Sequence, residues 1–244
     1  MAKKVNKKEM LRQAKALRTV RGRVTKYIKN KTDLAFNDLA DSVEANVETI
    51  TIDFKTFKKN IGKILIETHK RATEESINAV DEMYGLSKKV PNFNDIVDKR
   101  LNDFNKKKAA ETVTKIDEVT KNKINKIITE RQAEGLNAKA IAKEVKDNVK
   151  GMTKDRSLTI ARTETSKASG YSMHELAKET LVNTKVWIHV GGGKHHRENH
   201  LAMDGEEKPI DKPFSNDLMY AHESGAKAKE VINCYCITTY KFKV

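Results

Sequence analysis

Through the first 185 residues or so, apolar positions recur every three to four residues, the spacing of one buried stripe on an α-helix. Met10, Ala14, Leu17, Val20 or Arg21, Val24 and Ile28 predict an amphipathic helix, and Asp33 predicts the cap of a second one carrying Leu34, Leu39, Val43, Val47 and Ile50. A third helix is expected from about Asp53 to Tyr84, with Phe54, Phe57, Ile61, Ile64, Leu65, Ile77 and Val80 as its stripe. Gly85 and the Val90-Pro91-Asn92 turn end it. The fourth, from about Asn94 to Ala133, carries Ile96, Val97, Leu101, Phe104, Val113, Ile116, Val119, Ile124 and Ile128. Gly135 marks a break, Asn137 opens a short helix with Ile141, Val145 and Val149, and Gly151 is expected to break the chain again. Thr153 then caps a helix through Leu158, Ile160, Ala161, Ala168, Tyr171, Met173 and Leu176. Stripes of this kind are core packing, and long helices joined by short turns make an antiparallel hairpin or bundle.

The pattern changes at Trp187. Trp187–Val190 has strand composition and ends at Gly191-Gly192-Gly193; Asp204-Gly205 signals a turn, and Lys208–Phe214 an extended loop pinned by Pro209 and Pro213. Glu230–Tyr240 predicts a final strand, whose alternation would put Cys234 and Cys236 on one face. The expected fold class is therefore mainly α, an elongated helical hairpin or bundle followed by a small C-terminal α+β module. The expected divisions are a basic arm over residues 1–31, a long-helix region over 32–134 and the module over 135–244.

Composition supports extended helices over a dense globule: 38% hydrophobic, 6% aromatic and 34% charged residues. Two cysteines provide no disulfide framework, as expected of a reducing compartment. No apolar run approaches the roughly 20 residues of a membrane span and no signal-peptide pattern follows Met1, so the chain is expected to stay in the cell that makes it. The net charge of +14 is uneven: residues 1–31 hold twelve Lys or Arg against one acid, Glu9. Lys3, Lys4, Lys7, Lys8, Arg12, Lys15, Arg18, Arg21, Arg23 and Lys26 are thus candidates for contact with DNA phosphates or an acidic protein surface. Tyr27 is the arm's only aromatic residue, which argues against base stacking and for non-specific double-stranded DNA as the nucleic-acid partner. Deleting the arm is expected to leave the rest of the fold intact.

The segment Trp187–Cys236 concentrates the chemistry, with the only Trp, both cysteines and five of the seven histidines. His196 and His200, four apart, share a face of any helical turn. With Cys234 and Cys236 they make a candidate tetrahedral zinc site, since zinc takes thiolate sulfur and imidazole nitrogen. The alternative is that the cysteines are small buried hydrophobes and the histidines polar groups at the core edge.

Three blocks in order resemble the phage head-morphogenesis family, the minor head proteins similar to the F protein of phage Mu. They are Ala161-Arg162-Thr163-Glu164; Trp187 followed by Arg197, His200 and Asp204-Gly205; and Asn233-Cys234-Tyr235-Cys236, with Tyr235 where the family usually has Arg. The likeness covers about residues 130–244. It implies a structural protein of tailed-phage procapsids that works with the portal protein and other capsid or scaffold proteins, in the host cytoplasm during assembly and in the procapsid or virion. It also favours metal binding by His200, Cys234 and Cys236, and makes Arg162, Glu164, Trp187 and Asp204 the candidate clamp of the small module. In that clamp Arg162 is expected to reach acidic groups of the C-terminal segment. The competing readings are a metal-dependent nuclease built on His195, His196, Asn199 and His200, in the manner of histidine–asparagine–histidine sites, and a plain DNA-binding protein. No nucleophile–base pair supports other catalysis, and His69 reads as structural.

Overall fold

The computed structural model describes residues 7–104, 108–180, 182–191 and 197–242. Its order is α1 (Lys7–Asp41), β1 (Glu44–Ala45), β2 (Ile50–Thr51), α2 (Phe54–Tyr84), a 3-10 turn (Leu86–Lys88), α3 (Phe93–Phe104), α4 (Ala110–Ala133), α5 (Ala138–Glu179), β3 (Thr184–Ile188), α6 (Glu198–Ala202), β4 (Glu207–Pro209), α7 (Ala228–Val231) and β5 (Ile237–Tyr240). The fold is mainly α, with long N-terminal helices and a small strand-containing C-terminal module.

Several helix boundaries differ from those expected, each for a local reason. Asp33 lies inside α1 and salt-bridges Lys29 one turn earlier, so it is not a cap. Gly151 lies inside the 42-residue α5, and the Thr153 hydroxyl donates to the carbonyl of Val149 at 2.7 Å, a bond made within a continuing helix. The expected helix through Val47 and Ile50 is replaced by the hairpin β1–β2, antiparallel with Glu44 opposite Thr51. The Asn46 side chain accepts from the backbone N–H groups of Glu48 and Thr49 at 3.0 and 2.7 Å, a turn that competes with helix and leaves Val47 exposed. Asp53 caps α2 through the Thr56 N–H at 2.8 Å.

The chain forms two compact units. One comprises Lys26–Glu67 and Asn105–Ala161. Its interior holds Phe36 against Phe57, with ring centroids 5.0 Å apart, together with Ile61, Leu65, Ile124, Val145 and Val149. Arg156 spends its guanidinium on the Thr120 hydroxyl and the Ile116 carbonyl, 3.1 and 3.3 Å away.

The other unit comprises Met1–Thr25, Thr68–Phe104 and Arg162–Val244. Its three-stranded sheet has the order β4-β3-β5, all antiparallel, with Val186 opposite Glu207 on one side and Thr239 on the other. Both faces of β3 are covered, so Thr184–Ile188 lacks the polar alternation of a half-exposed strand. Val186 and Ile188 join Met10, Ala14, Leu17, Ile77, Val80, Leu176 and Tyr240 in one cluster; Trp187 joins Met203, Phe214, Leu218, Ala221, Cys234 and Cys236 in a second. The start of α1 is built into this unit. Its stripe is core, and the Gln13 carboxamide pairs with the backbone of Tyr240, donating to the carbonyl at 3.1 Å and accepting from the N–H at 2.7 Å. Removing residues 1–31 would therefore strip core from the unit instead of leaving it intact.

Candidate metal centre

The second cluster surrounds a group of sulfur and nitrogen atoms. After β3 the chain returns on itself: Gly205, at φ +83°, donates its N–H to the Trp187 carbonyl at 2.8 Å, and the Asp204 carboxylate accepts the His189 N–H at 2.8 Å. That turn fixes the one-and-a-half-turn helix α6 over the sheet and turns His200 inward to 1% exposure. The Trp187 indole, fully buried, meets the His200 ring edge-on at 5.1 Å and Phe214 at 5.3 Å.

The two cysteines arrive from elsewhere than expected. The segment before β5 is a single turn of helix, α7, followed by Asn233 at φ +53°, so Cys234 and Cys236 precede the strand and do not share one of its faces. The turn nevertheless directs both sulfurs at one atom, with His200 Nδ1 3.5 Å from Cys234 Sγ and 3.6 Å from Cys236 Sγ. The three ligand atoms lie within 4.8 Å of one another, and all three residues are buried.

These spacings can be tested against a metal. Metal–sulfur bonds of about 2.3 Å and metal–nitrogen bonds of about 2.05 Å, opened to the tetrahedral angle, put sulfur and nitrogen about 3.6 Å apart. The observed pairs match that edge. The other ring nitrogen of His200 stands 2.7 Å from Glu230 Oε2, so that with a metal in place Nε2–H would donate to the carboxylate and leave the Nδ1 lone pair for the ion. A carboxylate behind a ligating imidazole is the usual support of a metal-bound histidine. The residues present fit zinc.

The electrostatics run the same way. Burial penalises the charged form of His200, but the Cys234 thiolate and the Glu230 carboxylate outweigh it and raise its pKa. The hydrogen bond from Cys236 holds the Cys234 pKa far below the usual thiol range, despite burial, with His222 and His200 adding to the effect. Cys236 is pushed up in turn by its hydrogen bond to Cys234, by burial and by the charge on Cys234. A bound ion would favour the thiolate form of both cysteines.

The other expected residues are distributed as follows. His196 and His195, like Lys3 and Lys4, lie outside the described residues. Arg162 reaches no acid of the C-terminal segment; its guanidinium donates to the Asn233 side-chain oxygen at 3.1 Å and lies 4.8 Å from the centre of the Tyr235 ring. It therefore grips the turn that carries the cysteines, and the residue that departs from the family pattern supplies part of the grip. Glu164 faces elsewhere, buried between Lys167 at 2.7 Å and His69 at 3.7 Å; burial raises its pKa, but the contacts with His69 and Lys167 outweigh it and lower the pKa. Arg197 donates to the carbonyls of Lys229 and Ile232, tying α6 to α7. His189, His222 and Glu230 were missed in the sequence, since nothing in their spacing relates them to His200.

Residues 122–239 match the family model described as phage Mu protein F like protein. This segment, just under half of the chain, is similar to that family. No curated protein and no solved structure matches the chain. The phage Mu F-like family is one of phage head morphogenesis. The blocks that carried the resemblance now have positions in its fold: Arg162 and Asn233 bond each other, Arg197 joins α6 to α7, Gly205 makes the return turn, and His200 meets both cysteines.

Of the basic residues, Lys7, Lys8, Arg12, Lys15, Arg18 and Lys26 are exposed. Arg12, Lys15 and Arg23 line a groove of about 550 Å3 shared with Glu75 and Glu82, where Arg23 is paired to Glu75. Arg21 is a correction. It falls on the stripe between Val20 and Val24, is 8% exposed, and donates to Ser169 Oγ at 3.2 Å and to the Cys236 carbonyl at 3.0 Å. Burial lowers its pKa to about 10, and it is an interior brace for the cysteine turn.

Proposed function

We propose that this is a minor head protein of a tailed phage or prophage, acting in procapsid assembly at or near the portal. The observation that carries this reading is the family match over residues 122–239, within which Arg162, Arg197 and His200 are engaged in bonds that hold the module together. His200 is the residue a nuclease would need, and it is committed at both nitrogens, to Glu230 and to the cysteines. A histidine enclosed in this way is suited to holding a fold together, which favours a structural role over catalysis. Zinc bound by His200, Cys234 and Cys236 would lock α6 to the cysteine turn, supplying stability and no reaction. The exposed cations of α1 supply the chemistry for contact with packaged DNA or an acidic surface of a partner.

Co-expression with the portal protein of the same phage tests the reading: the two should co-purify at physiological salt. Retention of Lys7→Glu/Lys8→Glu/Arg12→Glu/Arg18→Glu in that complex, with loss of salt-sensitive DNA binding, would separate the two partners. Failure to associate with portal or any other head component, or plasmid cleavage lost in His200→Ala, would overturn the structural role.

A further inference from the structure

His200, Cys234 and Cys236 supply three corners of a tetrahedron, and a structural zinc site takes a fourth protein ligand. His222 is 1% exposed, and neither of its ring nitrogens has a hydrogen-bond partner. An imidazole buried with both polar atoms unsatisfied costs a few kcal/mol, so such a group calls for an explanation. Its neighbours are those of the metal centre: it acts on the Cys234 side chain and on the backbone of Cys236.

The backbone at His222 is also held in an uncommon state, φ +67°, in the left-handed region. The surrounding bonds impose it. The Ala221 N–H donates to the Thr238 hydroxyl on β5 at 2.8 Å, and Tyr220 stacks on His174 with centroids 4.8 Å apart. The loop is thus pinned to the strand that follows Cys236, with the imidazole enclosed in the interior. His189 is the rival, because its Nδ1 lies 3.6 Å from Cys236 Sγ. Its ring, however, is only half-buried, whereas that of His222 is enclosed.

We propose that His222 is the fourth ligand, completing a two-cysteine, two-histidine zinc centre with His200, Cys234 and Cys236; this rests on the zinc reading given above. Two thiolates and two neutral imidazoles leave the ion electrically balanced, which suits a site enclosed by Trp187, Phe214 and Leu218. The ion would join three separate pieces of chain: α6, the loop at 222 and the turn at 234–236.

The test uses the full chain, purified under reducing conditions, with zinc content measured and cobalt(II) substituted as the optical probe. His222→Asn keeps a residue that tolerates the left-handed backbone yet binds metal poorly, and His189→Asn is its control. The wild type should hold one ion per chain with the intense visible bands of a tetrahedral cobalt site. His222→Asn should weaken metal affinity by about 100-fold or more and lose those bands, while His189→Asn keeps both. His222→Cys, a second route should the asparagine variant fold poorly, should add a third thiolate and strengthen the sulfur-to-cobalt absorption. Unchanged affinity and spectrum in the His222 variants, or loss in His189→Asn, would overturn the assignment of His222 while zinc stands. A wild type that takes up neither metal would remove the zinc reading itself, and the fourth ligand with it.

Discussion

A Cβ placed on Gly170 would lie 2.6 Å from the carbonyl oxygen of Ala221, closer than non-bonded atoms tolerate. Only glycine lets α5 approach the loop before His222 this nearly, and the contact is with backbone, which cannot swing aside. Gly170→Ala should therefore lower stability by about 2 kcal/mol or more despite its better helix propensity, read by urea unfolding. Gly22→Ala, where no atom lies within 4 Å, should be neutral or slightly stabilising. Equal effects at the two sites would contradict this account of the loop.

Glu230 bonds His200 from the side away from the sulfurs. Glu230→Gln keeps the shape but weakens the acceptor, so metal affinity should fall by about 10-fold or more, measured by competition with a chelator. If affinity is unmoved, the carboxylate does not support the ligand.

His174 is buried against Tyr220 and Tyr240, and burial, with the nearby Lys185 and Lys178 adding to it, lowers its pKa to about 3. A histidine whose folded pKa lies below its unfolded value contributes full stability above the unfolded pKa of about 6.5. That contribution is lost as pH falls from there toward about 3, because only the unfolded chain takes up the proton. The slope should approach about 1.4 kcal/mol per pH unit in that window. His174→Gln should flatten it relative to wild type, as followed by chemical denaturation at pH 6.5, 5.5 and 4.5. An unchanged slope would show that another group controls the acid limb.

Arg21 braces the cysteine turn from the interior. Arg21→Met should cost about 2–4 kcal/mol by leaving the Cys236 carbonyl and Ser169 hydroxyl short of a donor, with no change in the salt dependence of any DNA binding. Arg18→Glu, on the exposed side of α1, should do the reverse. A swap of those two outcomes would return Arg21 to the surface.

The long stripes were readable because burial on a helix repeats every three to four residues; Leu17, Ile61 and Val145 are all as buried as their spacing implies. Helix ends were less so. Asp33 and Thr153 carry capping side chains but sit inside continuous helices, since packing along α1 and α5 outweighs a preference of about 1 kcal/mol. The meeting of His200 with Cys234 and Cys236 was anticipated from residue type and family likeness, yet through the wrong local geometry, a strand face instead of a turn. His222 left no trace in the sequence: the residue before it is held by the Thr238 hydroxyl and lies against Gly170, neighbours brought together only by the folded chain.

The Gln13 carboxamide occupies the backbone hydrogen-bonding positions of Tyr240 that would otherwise face outward from β5. On the opposite border of the sheet, β4 is three residues long and ends in Pro209, which has no N–H to offer. Each margin thereby offers fewer free backbone groups to a strand from a neighbouring copy. Margins of this kind guard the module against β-linked aggregation.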